Sequence, residues 1–446
     1  MKTKKIFCNS AVILFLAGLS IHSVSAQTTK KEQVTKVYNI APTEMFSLTS
    51  GRSEIEILTW DKNEIKITGD LTYKDEVNKE DIEKLLKAFK NLNVETSKNV
   101  LKLNLDLIKS SVHNINPFRK SRITTTLHNG DEISLDAKNI KTVYTIWIPE
   151  TLTVQANVKF GKLKMASIKG NVDFSLHNSD LEMKDFGESG TFEMRFSKAT
   201  MGSGGMSKFE VYNSEITTTD LKNVVIESRF SKINVAKADD VSIELYNGSC
   251  VFGKLNNITA SVRFSDIHIK NKADKAKFNF DNSKLFGENF QFMEISEARF
   301  SEIKADDIGD TKIISSHNST YHFTKVNTIA CQESRFSKFT INEVVVNASF
   351  PYTHNSDINI ISTSDSLNRF SGNFKFSTIN LKLHPNLAYH LNYDATFGSV
   401  NIPTGKFKAK LISDKSDSKT TIHGSTSNDA KCTIDLVASN TNCKIE

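Results

Sequence analysis

The side chains that could do chemistry in this chain are a few acidic doublets, histidines and cysteines, so their spacing decides whether an enzyme is written here. Asp239-Asp240 and Asp306-Asp307 are the acidic doublets of the repetitive region. Two carboxylates facing one another across a bound sugar can hydrolyse a glycosidic bond, one as acid and one as nucleophile or base. Acidic residues with Lys or Arg around calcium can support lyase chemistry. Here the doublets fall in turn-like contexts such as Lys237-Ala238-Asp239-Asp240, several repeats apart, where Asp is a favoured turn residue. His317 and His354 stand two repeats apart with Arg335 between them, a poor setting for a metal cation. Cys250, Cys331, Cys432 and Cys443 show no CxxC or Cys/His ligand spacing. Cys432 and Cys443 could form one disulfide in an oxidising compartment or remain buried thiols. No GxSxG, HExxH, Walker or GxGxxG element has a supporting context. The sequence therefore predicts no catalytic residue, no cofactor and no metal site. A polysaccharide-degrading β-helix enzyme is the weakest of the functional readings.

What the sequence does contain is a repeat. Arg-Phe-Ser recurs at Arg195, Arg229, Arg263, Arg299 and Arg335, with Lys375-Phe376-Ser377 as a variant. Between these come His177-Asn178-Ser179, Tyr212-Asn213-Ser214, His317-Asn318-Ser319 and His354-Asn355-Ser356, with looser copies at Tyr246-Asn247-Gly248 and Asp281-Asn282-Ser283. From Phe160 to Phe336 the Phe and Asn positions alternate every 17 or 18 residues, and the spacing loosens to 19 and then 21 through Asn355, Phe376 and Phe397. Between signatures, segments such as Ser231–Val235 and Val241–Leu245 alternate with β-branched residues, the mark of half-buried strands. Two or three short strands per repeat, joined by polar turns, stack as a β-solenoid (β-helix) with coils of about 17–18 residues. Thirteen steps separate Phe160 from Phe397, and at about 4.8 Å per step they span roughly 60 Å. A uniform rod of this kind has little room for the loops that wall a catalytic groove.

Because Phe and Asn alternate in one column, the duplicated unit is two coils. The expectation is that both point into an inner corner, with a bend at the following Ser and Asn filling the gap between rings about 9.6 Å apart. The residue before each corner then points outward, which gives Arg195, Tyr212, Arg229, Tyr246, Arg263, Arg299 and Arg335 as one external column. Arg over Tyr suits cation–π stacking. This column is either surface stabilisation or a stripe that grips anionic or sugar ligands, and it supplies the candidate binding residues.

The elements around the repeat complete the plan. Lys2, Lys4 and Lys5, the apolar run Ala11–Leu19 and small residues up to Ala26 form a signal peptide over residues 1–26. Removing it takes three of the 57 basic residues and leaves a surplus of three over the 51 acidic ones, too few to argue for nucleic acid. No later run is apolar enough for a transmembrane helix, so the mature protein is expected in the periplasm, cell envelope or extracellular space. Residues 27–150 form an irregular β segment with one amphipathic helix, Lys79–Asn91, whose Ile82, Leu85, Leu86 and Phe89 share a face and whose expected role is to cover the solenoid's open end. Residues 151–405 form the solenoid, and residues 406–446 cap it.

The Ser50-Gly51-x-x-Glu54-Ile55-x-Ile57 start, the Ile146-Trp147-Ile148-Pro149 entry into the first repeat and the recurrent F-(S/G)-x-(I/L) and N-S-x-(I/L) steps resemble the bacterial putative-adhesin family of β-strand-repeat proteins. The resemblance covers nearly the whole mature chain. It implies a β-solenoid in the Gram-negative envelope, in a family of unknown function, and brings no binding residues. The functional reading is then a binding, adhesin-like protein whose partner is a glycan or an envelope protein. The alternative is a structural or regulatory envelope component that docks a protein partner. Intact-mass measurement on protein from its native envelope should show cleavage after Ala26 and no acyl group, whereas a retained N-terminus or added lipid mass would contradict the signal-peptide assignment.

Overall fold

The computed structural model describes residues 29–41, 45–74, 78–97, 99–114, 122–407, 412–415 and 418–446, so the signal segment lies outside the described residues. The chain is a β-solenoid. Strands Glu215–Arg229, Lys232–Tyr246, Ser249–Arg263 and their successors pair in parallel, each with the next coil, so equivalent positions stack along the rod. One interior column runs Ile216, Ile233, Cys250, Ile267, Leu285, Ile303, Tyr321 and Phe339, all buried. Within a coil, inward and outward residues alternate with the strand period of two. The alternation breaks at paired outward residues such as Ala236-Lys237, where the chain bends.

The sharpest bend is a single left-handed residue. Phe160, Asn178, Phe196, Asn213, Phe230, Asn247 and their successors have φ between 46° and 56°. The expected inner corner of Phe and Asn is not formed. Phe230 is 47% exposed, and the following Ser231 is the residue that points inside, 2% exposed. The left-handed residue puts its own side chain on the outside of the turn, and the position inside is filled by small residues, Ser in most coils and Gly or Thr in the others.

The Ser hydroxyl ties the coils together. Ser231 Oγ donates to its own coil's Arg229 carbonyl (2.7 Å) and accepts the N–H of Ser214 from the preceding coil (3.1 Å). Ser197, Ser265, Ser301 and Ser319 make the same two contacts. The left-handed residue's N–H meanwhile donates to the next coil, Phe230 to the Tyr246 carbonyl and Asn247 to that of Arg263. Where a Ser or Thr follows the corner, the buried N–H of the preceding coil is thus satisfied, whereas Gly161, Gly248 and Gly398 bring no hydroxyl to their corners.

The two ends depart from the simple count of repeats. At the start, Met45–Gly51 and Ser53–Trp60 form a coil of their own, paired in parallel with Thr153–Lys159 and Lys162–Met165. Arg52 occupies its left-handed corner (φ 59°) and Ser53 the buried Ser position. Met45–Trp60, within the segment expected to be irregular β structure, is therefore a solenoid turn separated from the rest by an insertion. The insertion holds the helix Lys79–Lys90, capped by Asn78, whose buried Leu85, Ala88 and Phe89 join the common core. Phe89 packs on Tyr144, 6.2 Å between ring centroids. Tyr144 lies in the strand Ile140–Pro149, which pairs with the first coil, and it touches the backbone of Gly69, where any Cβ would meet the ring at 2.6 Å.

At the far end the C-terminus does more than cap. Cys432–Ser439 inserts between Arg369–Lys375 and Tyr389–Thr396, paired in parallel with both, and Asn442–Ile445 lies between Thr378–Leu381 and Ser399–Asn401. Asn440, with φ 48°, falls between Phe376 and Phe397 in the corner column, and Thr441 takes the place of the Ser. Two phenylalanines adjacent in the sequence series are therefore two steps apart in space, and the Phe/Asn alternation continues. The rod from Phe160 to Phe397 gains one step and reaches about 67 Å.

Cys432 and Cys443 are separate buried thiols, and burial pushes both up to about 12. Deleting Cys432–Glu446 should leave Tyr389–Asn401 without its parallel partners. Limited proteolysis with mass spectrometry should then release fragments from residues 385–426 while the rod up to Leu381 stays protected. Equal protection in the full and truncated chains would contradict the intercalated arrangement.

Candidate binding ridge

On the outside of the left-handed corner two columns run side by side along the rod. The corner column alternates Phe and Asn. The column before it reads His177, Arg195, Tyr212, Arg229, Tyr246, Arg263, Asp281, Arg299, His317, Arg335 and His354. All seven candidate residues, Arg195, Tyr212, Arg229, Tyr246, Arg263, Arg299 and Arg335, lie in this outward column and are exposed.

Their contacts differ from the expected Arg–Tyr stacking. The cation–π contacts among the described residues involve Lys62 with Trp60, Lys66 with Trp147 and Lys304 with Phe286. Three of the arginines instead bind the glutamate two residues earlier on the same strand face: Arg195 with Glu193 at 2.9 Å, Arg299 with Glu297 at 2.6 Å and Arg335 with Glu333 at 2.6 Å. These pairs are largely exposed and add little stability. The tyrosines contact phenylalanines of the coils on either side, and the result is a ladder of seven rings. It runs Phe160, His177, Phe196, Tyr212, Phe230, Tyr246, Phe264, with successive centroids 5.7 to 6.1 Å apart and interplanar angles of 75° to 88°. Asp281 ends the ladder. A shorter one reappears at Phe336, His354 and Phe376.

The phenylalanines are the part of this surface that the sequence reading placed wrongly, and they are its most unusual feature. Phe196, Phe264, Phe300, Phe336 and Phe397 are 49% to 67% exposed. A left-handed backbone costs an ordinary residue about 1–2 kcal/mol, and for a bulky one it is a genuine outlier. Edge-to-face contacts return about 0.5–1.5 kcal/mol each, but Phe300 and Phe397 make no such ring contact among the described residues. The alternate coils place Asn at the same corner, where its side chain tolerates the backbone. That contrast was the available signal: a position filled by Asn in every other coil reports the backbone the Phe must share.

Beside the ring ladder the surface is shallowly concave. One cavity of about 460 Å³ is lined by His177, Glu193, Arg195, Phe196, Glu210 and Tyr212 among others, and it shares Glu227 and Arg229 with a second of about 490 Å³ that reaches Tyr246 and Arg263. A third, of about 630 Å³, lies beside Phe336 between Arg335 and Lys375. A fourth, of about 490 Å³, is on a different run of the coil, where His268 stacks on Phe286 at 4.7 Å and Lys304 lies over the same ring. Glu193, Glu210, Glu227 and Glu244 form a register column of carboxylates along the floor of the first two. The Glu210 carboxylate, 2.6 Å from Lys208, raises that ammonium above its ordinary value.

Solved structures similar to this chain include several described as putative adhesins and one described as a putative lipid binding protein. One, described as a putative cell adhesion protein from Clostridium sporogenes, is 9% identical, with 94% of this chain and 100% of that one covered at a TM-score of 0.16. A putative adhesin from Parabacteroides distasonis is 11% identical over 67% of this chain and 97% of its own, with a TM-score of 0.22. A putative adhesin from Bacteroides fragilis is 12% identical over 66% and 96%, with a TM-score of 0.19. No family model and no curated protein matches the chain. The solenoid and its ridge therefore stand on the chain's own strand pairing and side-chain geometry.

No helix among the described residues is long and apolar enough to cross a membrane. The histidines His317 and His354 sit in the outward column with Arg335 between them in register, and among the described residues no group of three or more His, Cys, Asp or Glu side chains is arranged to hold a metal ion. The acidic doublets are not in turns: they lie within the continuous strands Lys232–Tyr246 and Glu302–His317, where Asp239 and Asp240 accept from Asn256 and Asn257 of the next coil (3.2 and 2.6 Å) and Asp306 from Thr324 (3.2 Å).

The two corner residues should respond oppositely to substitution. Ser231→Ala strips the Ser214 N–H of its acceptor inside the rod and should cost about 1–3 kcal/mol. Phe230→Asn installs the residue the alternate coils already use, and its stability should stay within about 1 kcal/mol of the parent or rise. Urea midpoints of both variants test this. A larger loss for Phe230→Asn than for Ser231→Ala would make the ring a structural element.

Proposed function

We propose that this chain is an exported, non-catalytic binding protein that lays an extended ligand along its corner ridge. The observation that carries the reading is the row of phenylalanines held exposed in a left-handed backbone on every second coil. Asn serves the same corner in the coils between, and at Phe300 and Phe397 no ring contact among the described residues offsets the cost of the backbone. Strained conformations that persist in repeated copies point to function, and contiguous exposed apolar surface rimmed by polar groups marks interaction sites. The rod gives the ridge length without depth, which fits adhesion to a polymer or an extended surface better than enclosure of a small substrate.

Catalysis has no such support. The acidic doublets lie several coils apart within strands, with Asp239, Asp240 and Asp306 hydrogen-bonded to the next coil, and Glu193 and Glu210 of the ridge carboxylates are paired with Arg195 and Lys208. Export rests on the leader pattern at residues 1–26.

Sedimentation of the mature protein with insoluble cell-envelope material tests the proposal. The parent should co-sediment, and a variant carrying F196N, F230N and F264N should stay in solution with an unchanged melting temperature. Equal co-sedimentation of the two proteins would remove the ridge from the binding surface. Incubation with acidic and neutral polysaccharides should release no shorter chains, and turnover abolished by one Asp→Asn change would establish an enzyme instead.

A further inference from the structure

The periodicity and charge of the ridge narrow its ligand. We infer that the uninterrupted ring ladder from Phe160 to Phe264 takes a neutral, extended, β-linked polysaccharide lying parallel to the rod, with one disaccharide per two coils. This inference rests on the binding-ridge reading and names its ligand class.

Three observations lead there. The first is spacing. Phenylalanines recur on every second coil, so the rings stand about 9.6 Å apart and the ladder spans about 29 Å. In an extended β-linked hexose polymer alternate sugars turn over, and the disaccharide that restores the orientation is closely similar in length. A ligand of that class meets each successive Phe with the same sugar face, whose C–H groups suit the electron-rich face of an aromatic ring.

The second is charge. Over the coils of Phe196 to Phe264, the three outward columns before the corner carry Glu193, Glu210, Glu227 and Glu244 against Arg195, Arg229, Arg263 and Lys208. Acids and bases are equal in number, so the face holds no surplus to attract a polyanion, and its carboxylate column would repel one. Sugar hydroxyls both donate and accept. A floor of alternating carboxylates and guanidiniums, with the Asn213 and Asn247 amides between the rings, offers both roles at each step.

The third is straightness. Strand pairing through these coils is parallel and in register without a bulge from Ser189 to Arg263. The match between coil and disaccharide can therefore hold over several repeats, and each further disaccharide adds the same contacts.

Isothermal titration with neutral β-linked oligosaccharides, from a disaccharide to a decasaccharide, reads this out directly. Affinity should climb with every added disaccharide until the ladder is covered, and F196N/F230N/F264N should bind about tenfold or more weakly to the longer chains. The single variant F230N carries the comparison if the triple variant does not fold. Tighter binding of a matched polyuronate series, equal binding of helical α-linked chains, or affinity that does not grow with length would overturn the ligand class. If the envelope sedimentation still depends on the three phenylalanines in that case, the ridge stands and only its ligand is wrong. If the variant binds oligosaccharides and envelope as the parent does, both readings fall.

Discussion

The structure depends on one hydrogen-bonding arrangement, the hydroxyl that follows most of the left-handed corners, with Gly161, Gly248 and Gly398 as the exceptions. A chain that must reverse direction inside every coil would leave backbone N–H groups buried and unpaired, at a cost of about 1–3 kcal/mol each. Ser Oγ supplies the acceptor for the coil before it and closes onto its own corner carbonyl, so a strained turn becomes the best-connected point of the coil. The Asn247 corner keeps the same backbone and register with Gly248 in place of Ser, so the hydroxyl reinforces a turn that the in-register pairing of the hydrophobic columns also holds. Thr441 meets the same requirement in the coil contributed by the C-terminus.

With the corner hydrogen bonds supplied by the following hydroxyl, the residue before it in sequence is released from packing inside the rod. It must accept a positive φ and its side chain must face solvent. Asn meets these conditions without penalty, and Phe meets them at a cost. The alternation of the two therefore divides structural maintenance from surface chemistry coil by coil. The aromatic ladder, the flanking Arg and Glu residues and the shallow cavities beside them are consequences of putting Phe where the fold asks only for a residue that tolerates the turn.

The ends show how a stack with open strand edges is closed. The insertion that carries the helix separates the first coil, Met45–Trp60, from its neighbour at Thr153. At the other end the returning chain slides a complete half-coil between two others instead of lying over the last one. Such a terminus ties the final coil to the body of the rod through parallel pairing on both of its sides, and the antiparallel strand Lys419–Ser425 then covers the edge of Tyr389–Thr396.

The repeat, the all-β class, the coil length, the helix at Lys79 and the outward column of Arg and Tyr were legible from residue types and spacing, because strand alternation and helix periodicity are local properties. The direction of the Phe and Asn side chains was not. A three-residue offset from Phe230 to Ile233 fits an inward Phe if the bend is drawn at Ser231, and only the backbone dihedral, set by hydrogen bonds to coils before and after, moves the bend to Phe230 itself. The same holds for Asn440. Its Asn-Thr pair is too short to announce a coil in sequence, and its place between Phe376 and Phe397 is decided by which strands remain unpaired once the rod has formed. Sequence alone determined what each coil is made of. The tertiary structure decided which side of the corner faces water and which chain segment completes the last turn, since both depend on partners one or more coils away.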